Sequence, residues 1–146
     1  MIVFRPLMLP ADIPWLKEHV KCVLCEDTKG IVAERDGVIV AMYVLDSWSH
    51  NSVQCHHAVL DPLAFKHGIH IEVVRYVFGV CGRKLIIGLT PANNAKAVRI
   101  AKHLGFTEHT RIPDAYDVGV DYIIFRMTAE ECPYYEESRH ADRTAA

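Results

Sequence analysis

The sequence lacks several things, and each shortage removes a class of function. It has no cluster of basic residues: Lys and Arg number 16 against 18 Asp and Glu, for a formal net charge of -2. Nucleic-acid backbones are held by clustered cations, so no nucleic-acid partner is expected. No apolar run approaches the roughly 20 residues that cross a bilayer, so no membrane is expected either. The opening MIVFRPLMLP has neither the basic start nor the cleavage site of a secretory signal. Five cysteines form an odd set without framework spacing, which reads as reduced thiols in a cytoplasmic protein. There is no internal repeat and no linker. What remains is 146 residues, 51% hydrophobic and 23% charged, enough for one ordinary domain with its own core.

Hydrophobic patterning gives an alternation of strands and helices. IVFRPL (2–7) reads as a strand. ADIPWLKEHVKCVLC (11–25) reads as a helix, with Asp12 as cap and Pro14 in the first turn. KGIVAERDGVIVAMYVLDSW (29–48) is a hairpin, because Asp36-Gly37 between two β-rich runs is the strongest short-range turn signal. SVQCHHAVLDP (52–62), KLIIGLT (84–90) and GVDYIIFRM (119–127) are further strands, the second apolar enough to be central and buried. KHGIHIEVVRYVFGV (66–80) is ambiguous: Ile69, Val73, Tyr76, Val77 and Val80 fall at helical spacing, whereas its β-branched residues favour a strand. A helix is chosen, since it supplies the right-handed crossover between the flanking strands. Residues 128–146 read as a polar, loosely ordered tail after a domain of residues 1–127.

Residues 93–109, NNAKAVRIAKHLGFTEH, carry the most information. Ala97, Ile100, Ala101 and Leu104 share one helix face. Asn93 or Asn94 caps the start, Gly105 suits a left-handed stop, and Phe106 leads into the next strand. Good capping alone accounts for all of these residues. They also resemble the second half of the signature of the Gcn5-related N-acetyltransferases (GNAT), which reads Asn-x-x-Ala, an apolar helix, then Leu-Gly-Phe. The family's cofactor loop, often V-x-P-x-x-R-G-x-G-x-G, is similar to the stretch from Leu60 to His70, with Pro62 and Gly68 in place. The order of elements agrees too.

The resemblance implies an α/β (α+β) GNAT-like three-layer fold: a mostly antiparallel, mixed, twisted sheet of about six to seven strands, flanked by helices. It implies transfer of an acetyl group from acetyl-CoA to an amine of a small molecule or protein, with a homodimer as a possible assembly. The cofactor-binding residues it implies are Leu60, Lys66, His67, Gly68, Ile69, His70, Asn94 and Ala97. Phe65 and His70 depart from the family's loop, which has Arg or Gln and Gly or Ala there, and only Gly68 remains of its glycines. The usual acid, a Tyr on the helix before Leu-Gly-Phe, is Ala101 here; Tyr122 on the last strand is the substitute. His56 matches a strand histidine that faces substrate in the aralkylamine members, with Gln54 on the same face. Two readings of His56 stand: general base, for which imidazole has the right intrinsic pKa, and a hydrogen-bonded strand histidine without chemistry. The chain as a whole is either an acetyltransferase or a GNAT-fold binding module that has lost catalysis.

No metal is expected. Cys22-x-x-Cys25 is a single pair inside an apolar helix pattern, and Cys55 and His56 point to opposite faces of a strand, so zinc ligation finds no converging set. A thioredoxin-like role fails because the pair follows no strand.

Overall fold

The Asp36-Gly37 hairpin forms as the sequence predicts. Strand β2 (Lys29–Arg35) turns into β3 (Val38–Asp46). Both turn residues take positive φ, 52° at Asp36 and 82° at Gly37, which a type I′ turn demands. In the computed structural model, which describes residues 1–135, this hairpin sits inside a seven-stranded sheet of order β1-β2-β3-β4-β5-β7-β6. The other strands are β1 (Ile2–Pro6), β4 (Ser52–Val59), β5 (Leu85–Pro91), β6 (Thr107–Asp117) and β7 (Val120–Thr128). Every neighbouring pair is antiparallel except β4 and β5. The parallel pair needs a crossover, and the segment at 66–80 supplies it as helix. Ile69, Val73 and Val77 are buried four residues apart, a helical rather than an alternating pattern.

Helix α1 starts at Ile13–Trp15 and continues as a wider π-helical turn, Leu16–Val20. A single turn, α2 (Leu63–Lys66), precedes α3, which runs as Ile69–Val74 and then as a π-helical turn, Arg75–Val80. Helix α4 is Ala95–His103. Side chains alternate across the sheet, so it has two packed faces. Leu16 of α1 packs with Val32, Met42 and Val44 on one. On the other, α3 packs with Ala33, Tyr43, Val53 and Met127, and Ala101 of α4 packs with Ile123 and Phe125. Ile123, Phe125 and Met127 lie two apart along β7, so α3 and α4 share a face opposite α1.

Three expectations are corrected. The first helix ends at Val20, not near residue 25, because Lys21 turns left-handed at φ 60°. Asp12 does not cap that helix with its side chain. Its carboxylate accepts from Arg5 Nη1 and Nη2 at 2.8 and 2.9 Å and from the Met8 N–H at 2.7 Å. A buried carboxylate gains more from a bidentate guanidinium than from one helix amide. Arg5 Nε also donates to Glu34 at 2.7 Å, so one side chain ties together β1, the entrance to α1, and β2. Finally, the stretch after β7 is packed up to Tyr135: Cys132 is buried, Tyr134 meets His70 at 4.3 Å and Tyr135 meets Phe78 at 5.3 Å. Residues 136–146 lie outside the described residues. Strand β5 is fifth of seven as expected, yet only Ile86 in it is buried.

The Arg5–Asp12 pair holds the Asp12 carboxyl below the ordinary range, chiefly through its hydrogen bonds to Arg5. Asp12→Ala is expected to cost about 2 kcal/mol by stripping a partner from Arg5 and from the Met8 amide. In a chain of this size that lowers the melting temperature by about 4–8 °C. An unchanged melting curve would show that water replaces the carboxylate without penalty.

Candidate active site

The site begins with a defect in the sheet. Strands β4 and β5 pair only at Ser52–Gln54 with Leu85–Ile87. Beyond that point β4 stays with β3 and β5 stays with β7, so the two central strands part. Between them opens a cleft of about 560 Å³, lined by Cys55, His56 and His57 on one side and Gly88, Leu89 and Thr90 on the other. The facing edges carry backbone amides and carbonyls that no strand among the described residues covers, which is what an extended, amide-bearing ligand pairs with.

His56 stands on the α1 side of this opening. Its register partner is Val44, and Asp46, two residues further along β3, lies on the same face. His56 Nε2 is 3.1 Å from the buried Asp46 carboxylate. The carboxylate fixes the tautomer with the proton on Nε2 and leaves Nδ1 as an acceptor. This is the arrangement by which a carboxylate orients an imidazole and supports the imidazolium it becomes.

His57 faces the α3 side, as the alternation requires. Its ring stacks on Tyr43 at 5.1 Å and 14°. Desolvation, with a smaller contribution from His56, pushes its pKa down to about 4, so it is neutral near pH 7. Cys55 shares that face, and burial, with Asp46 and Cys22 adding to it, pushes its thiol up to about 12. Among the described residues the buried Tyr43 hydroxyl has no hydrogen-bond partner, and desolvation raises its pKa well above the ordinary value. Adjacent residues of one strand therefore have different chemistry: His56 is paired and accessible, while His57 and Cys55 are held neutral.

Helix α4 closes the α3 side of the cleft. Asn94 caps it as the sequence predicts, its Oδ1 accepting from the Ala97 N–H at 3.1 Å. The helix ends in a full Schellman motif: Phe106 N–H donates to Ala101 O at 3.0 Å and Gly105 N–H to Lys102 O at 3.1 Å. Gly105 has φ 97°, and a Cβ there would meet the Pro133 ring at 3.0 Å, so the stop is fixed by conformation and by space. Asn94, Ala97 and Ala101 all line the cleft.

A second opening lies between α4 and the start of α3, a groove of about 860 Å³. Gly68, with φ 89° as the residue before the first turn of α3, is buried and lines neither opening. Lys66, Lys96, Arg99, Lys102 and His103 line the groove. The basic cluster that the composition does not reveal is therefore assembled by folding. The first amides of a helix have no intrahelical acceptor and point at whatever anion approaches.

The structure brings together most of the sequence-predicted residues. His56, Tyr122, Asn94 and Ala97 line the central cleft, and Lys66 and His70 line the basic groove. Tyr122 meets Tyr116 edge-on at 5.5 Å. Ile69 is fully buried and offers only its backbone amide. His67 is exposed and lines neither opening. Leu60 lies past the end of β4, is 56% exposed, donates its N–H to Val40 O and lines neither opening. His70 is not free to swing over the helix start, since its ring packs on Tyr134 and Phe65. Cys22 and Cys25 follow the helix instead of lying in it, and all five cysteines are free. Among the described residues, no three His, Cys, Asp or Glu side chains gather as metal ligands.

Sequence reading missed Asp46, Tyr43 and the α4 cations. The α4 cations were legible: Lys96, Arg99 and Lys102 recur every third residue. Asp46 was visible only as a charge ending an apolar strand, and its link to His56 needed the β3–β4 register.

No family model matches the sequence, and no curated protein matches it. Solved structures do match in shape. Mutant forms of the spermidine/spermine N-acetyltransferase SpeG from Vibrio cholerae superpose with a TM-score of 0.76 at 14% identity, over 94% of this chain and 99% of that one. The ribosomal-protein-alanine N-acetyltransferase of Escherichia coli gives 0.66 at 18% identity, covering 88% and 94%. YncA of Salmonella typhimurium, a candidate acetyltransferase solved with its cofactor acetyl-CoA, gives 0.64 at 15%, covering 90% and 96%. At such identities the likeness is one of fold.

The low pKa of His57 has a measurable consequence. Between about pH 6.5 and the folded value, the unfolded chain binds a proton at this site that the folded chain refuses. Stability therefore falls as pH drops through that window, by at most about 3 kcal/mol for this half-buried ring. Urea unfolding at about pH 7.5 and about pH 4.5 is expected to show a smaller loss in His57→Gln than in the parent. Equal losses would mean that His57 titrates normally.

Proposed function

We propose that this chain, whose fold is that of the Gcn5-related N-acetyltransferases, moves an acetyl group from acetyl-CoA to a primary amine. The observation that carries the reading is the His56–Asp46 pair at the wall of a cleft opened by two diverging strands. Structural neighbours are acetyltransferases, and one of them is described with acetyl-CoA bound.

The residues present fit that co-substrate. Its diphosphate matches the basic groove, which Lys66, Lys96 and Arg99 line beside the start of α3. The side chains of Lys66 and Arg99 supply charge that Phe65 does not. The amide-bearing arm fits between the uncovered edges of β4 and β5 as an added strand, which brings the thioester beside His56. The amine nitrogen attacks the thioester carbon, and its proton passes to Nδ1 of His56, directly or through a water. Asp46 stabilises the resulting imidazolium. The tetrahedral intermediate collapses, the C–S bond breaks, and the thiolate leaves with a proton. With Ala101 at the position of the family's usual acid, the Tyr122 phenol in the cleft is the donor. The replacement at Ala101 and the loss of all but one loop glycine favour a second reading, a binding module that takes acetyl-CoA without turnover.

Acetyl-CoA at about 100 times its Kd is expected to stabilise the fold by about 2.7 kcal/mol, a rise of roughly 5–10 °C in melting temperature. No shift at millimolar acetyl-CoA would end both readings. His56→Gln is expected to lower kcat at neutral pH on the order of a hundredfold while the shift with acetyl-CoA persists. Full turnover in this variant would place the base elsewhere; a shift with no acetylation by the parent protein would establish the binding module.

A further inference from the structure

The two faces of the cleft differ in charge. The α4 side is apolar or neutral where Ala97, Ala101, Tyr43 and His57 meet. The opposite side is formed by the end of α1 and the chain just after it, and there His19, Lys21 and Cys22 line the opening beside His56. This is where an acceptor amine must lie if the thioester arrives from the α3–α4 side. Among the described residues, no Asp or Glu lines the cleft. The nearby carboxylate, Asp46, is buried and turned to His56.

Lys21 is held at the mouth by its backbone. It closes the helix with φ 60°, and its N–H donates to Leu16 O at 2.9 Å. Among the described residues its ammonium has no ion pair. His19 has one carboxylate within reach, the largely exposed Glu18 at 3.7 Å. A polyamine keeps a second cation after its reacting nitrogen loses a proton, and that cation needs a carboxylate that the described residues of this side do not offer. Placing it next to Lys21 is unfavourable for the same reason that an anion there is favourable.

We propose that the acceptor is an amino carboxylate: a primary amine whose neighbouring carboxylate is held by Lys21 while the nitrogen faces His56. The proposal rests on the acetyltransferase reading and narrows it to one substrate class. It sets this chain apart from its spermidine-acetylating structural neighbours.

The test is acetylation by the intact chain with acetyl-CoA, following product mass and thiol release. Its acceptors are the common free amino acids, the carboxamide of each, a peptide with an acidic first residue, and spermidine. At least one free amino acid is expected to exceed its own carboxamide in kcat/KM by roughly tenfold, the worth of one charge-assisted contact. Lys21→Gln, which keeps most of the stem and removes the charge, is expected to bring that ratio near one by raising KM for the acid, and Lys21→Glu to invert it. Preference for the peptide over every free amino acid, with the same response to Lys21→Gln, would locate the carboxylate on a polypeptide and keep the class. Spermidine as the best acceptor, an acid-to-amide ratio near one in the parent, or acetyl-CoA binding with no amino carboxylate acetylated overturns the proposal alone. Failure to bind acetyl-CoA overturns the reading beneath it as well.

Discussion

The candidate site depends on where one parallel pairing stops. Strands β4 and β5 are joined for three residues and then each follows its other neighbour. Antiparallel strands joined by a short turn are held together along their length, but a parallel pair is linked only through its crossover and can part at the far end. The separation uncovers two strand edges in the middle of a sheet, where uncovered edges are otherwise costly. It also lets one opening reach both faces. His56, on the α1 side with the buried Asp46 behind it, and Asn94 with Ala97, on the α4 side, come to line the same space through that gap.

The rest of the structure keeps the gap open. The α3-side core, from Ala33 to Met127, anchors the crossover helix against β2, β3 and the paired half of β4 and β5. The Arg5 cluster fixes the start of α1, and α1 ends at Lys21 above β4. Residues 128–135 return under α3 and bring Tyr134 to the wall of the basic groove. The site is thus framed by segments far apart in sequence, each held by its own packing.

The fold was largely legible in the sequence because its signals are local. Asp36-Gly37, Asn94 and Gly105 each state a backbone conformation that only a few residues adopt, and each is where it was expected. Helical spacing at Ile69, Val73 and Val77 outweighed β-branched propensity, since burial of a face contributes more than χ1 restriction. The errors fall where local signals compete with distant ones. Asp12 looks like a cap until Arg5, on another element, is brought beside it. Leu60 matches a motif position, yet β4 ends one residue earlier. The site was half legible: His56 and Asn94 announce themselves, whereas Asp46, Tyr43 and the charge at Lys21 gain meaning only from register and from which face a helix covers.

The two imidazoles of β4 have one more implication. A slip of one residue in the β3–β4 register would exchange the faces of every side chain on the strand, but His56 and His57 are neighbours of the same kind. A strand slipped so that His57 met Val44 would still present a histidine to Asp46, while Tyr43 would face Ala58 in place of its stacked imidazole. Composition, charge and even the outline of the cleft would survive the error, while Cys55 and Gln54 would change places about it. For anyone grafting this strand into another scaffold, the two histidines are interchangeable in identity and not in position, and only the partners across the ladder tell them apart.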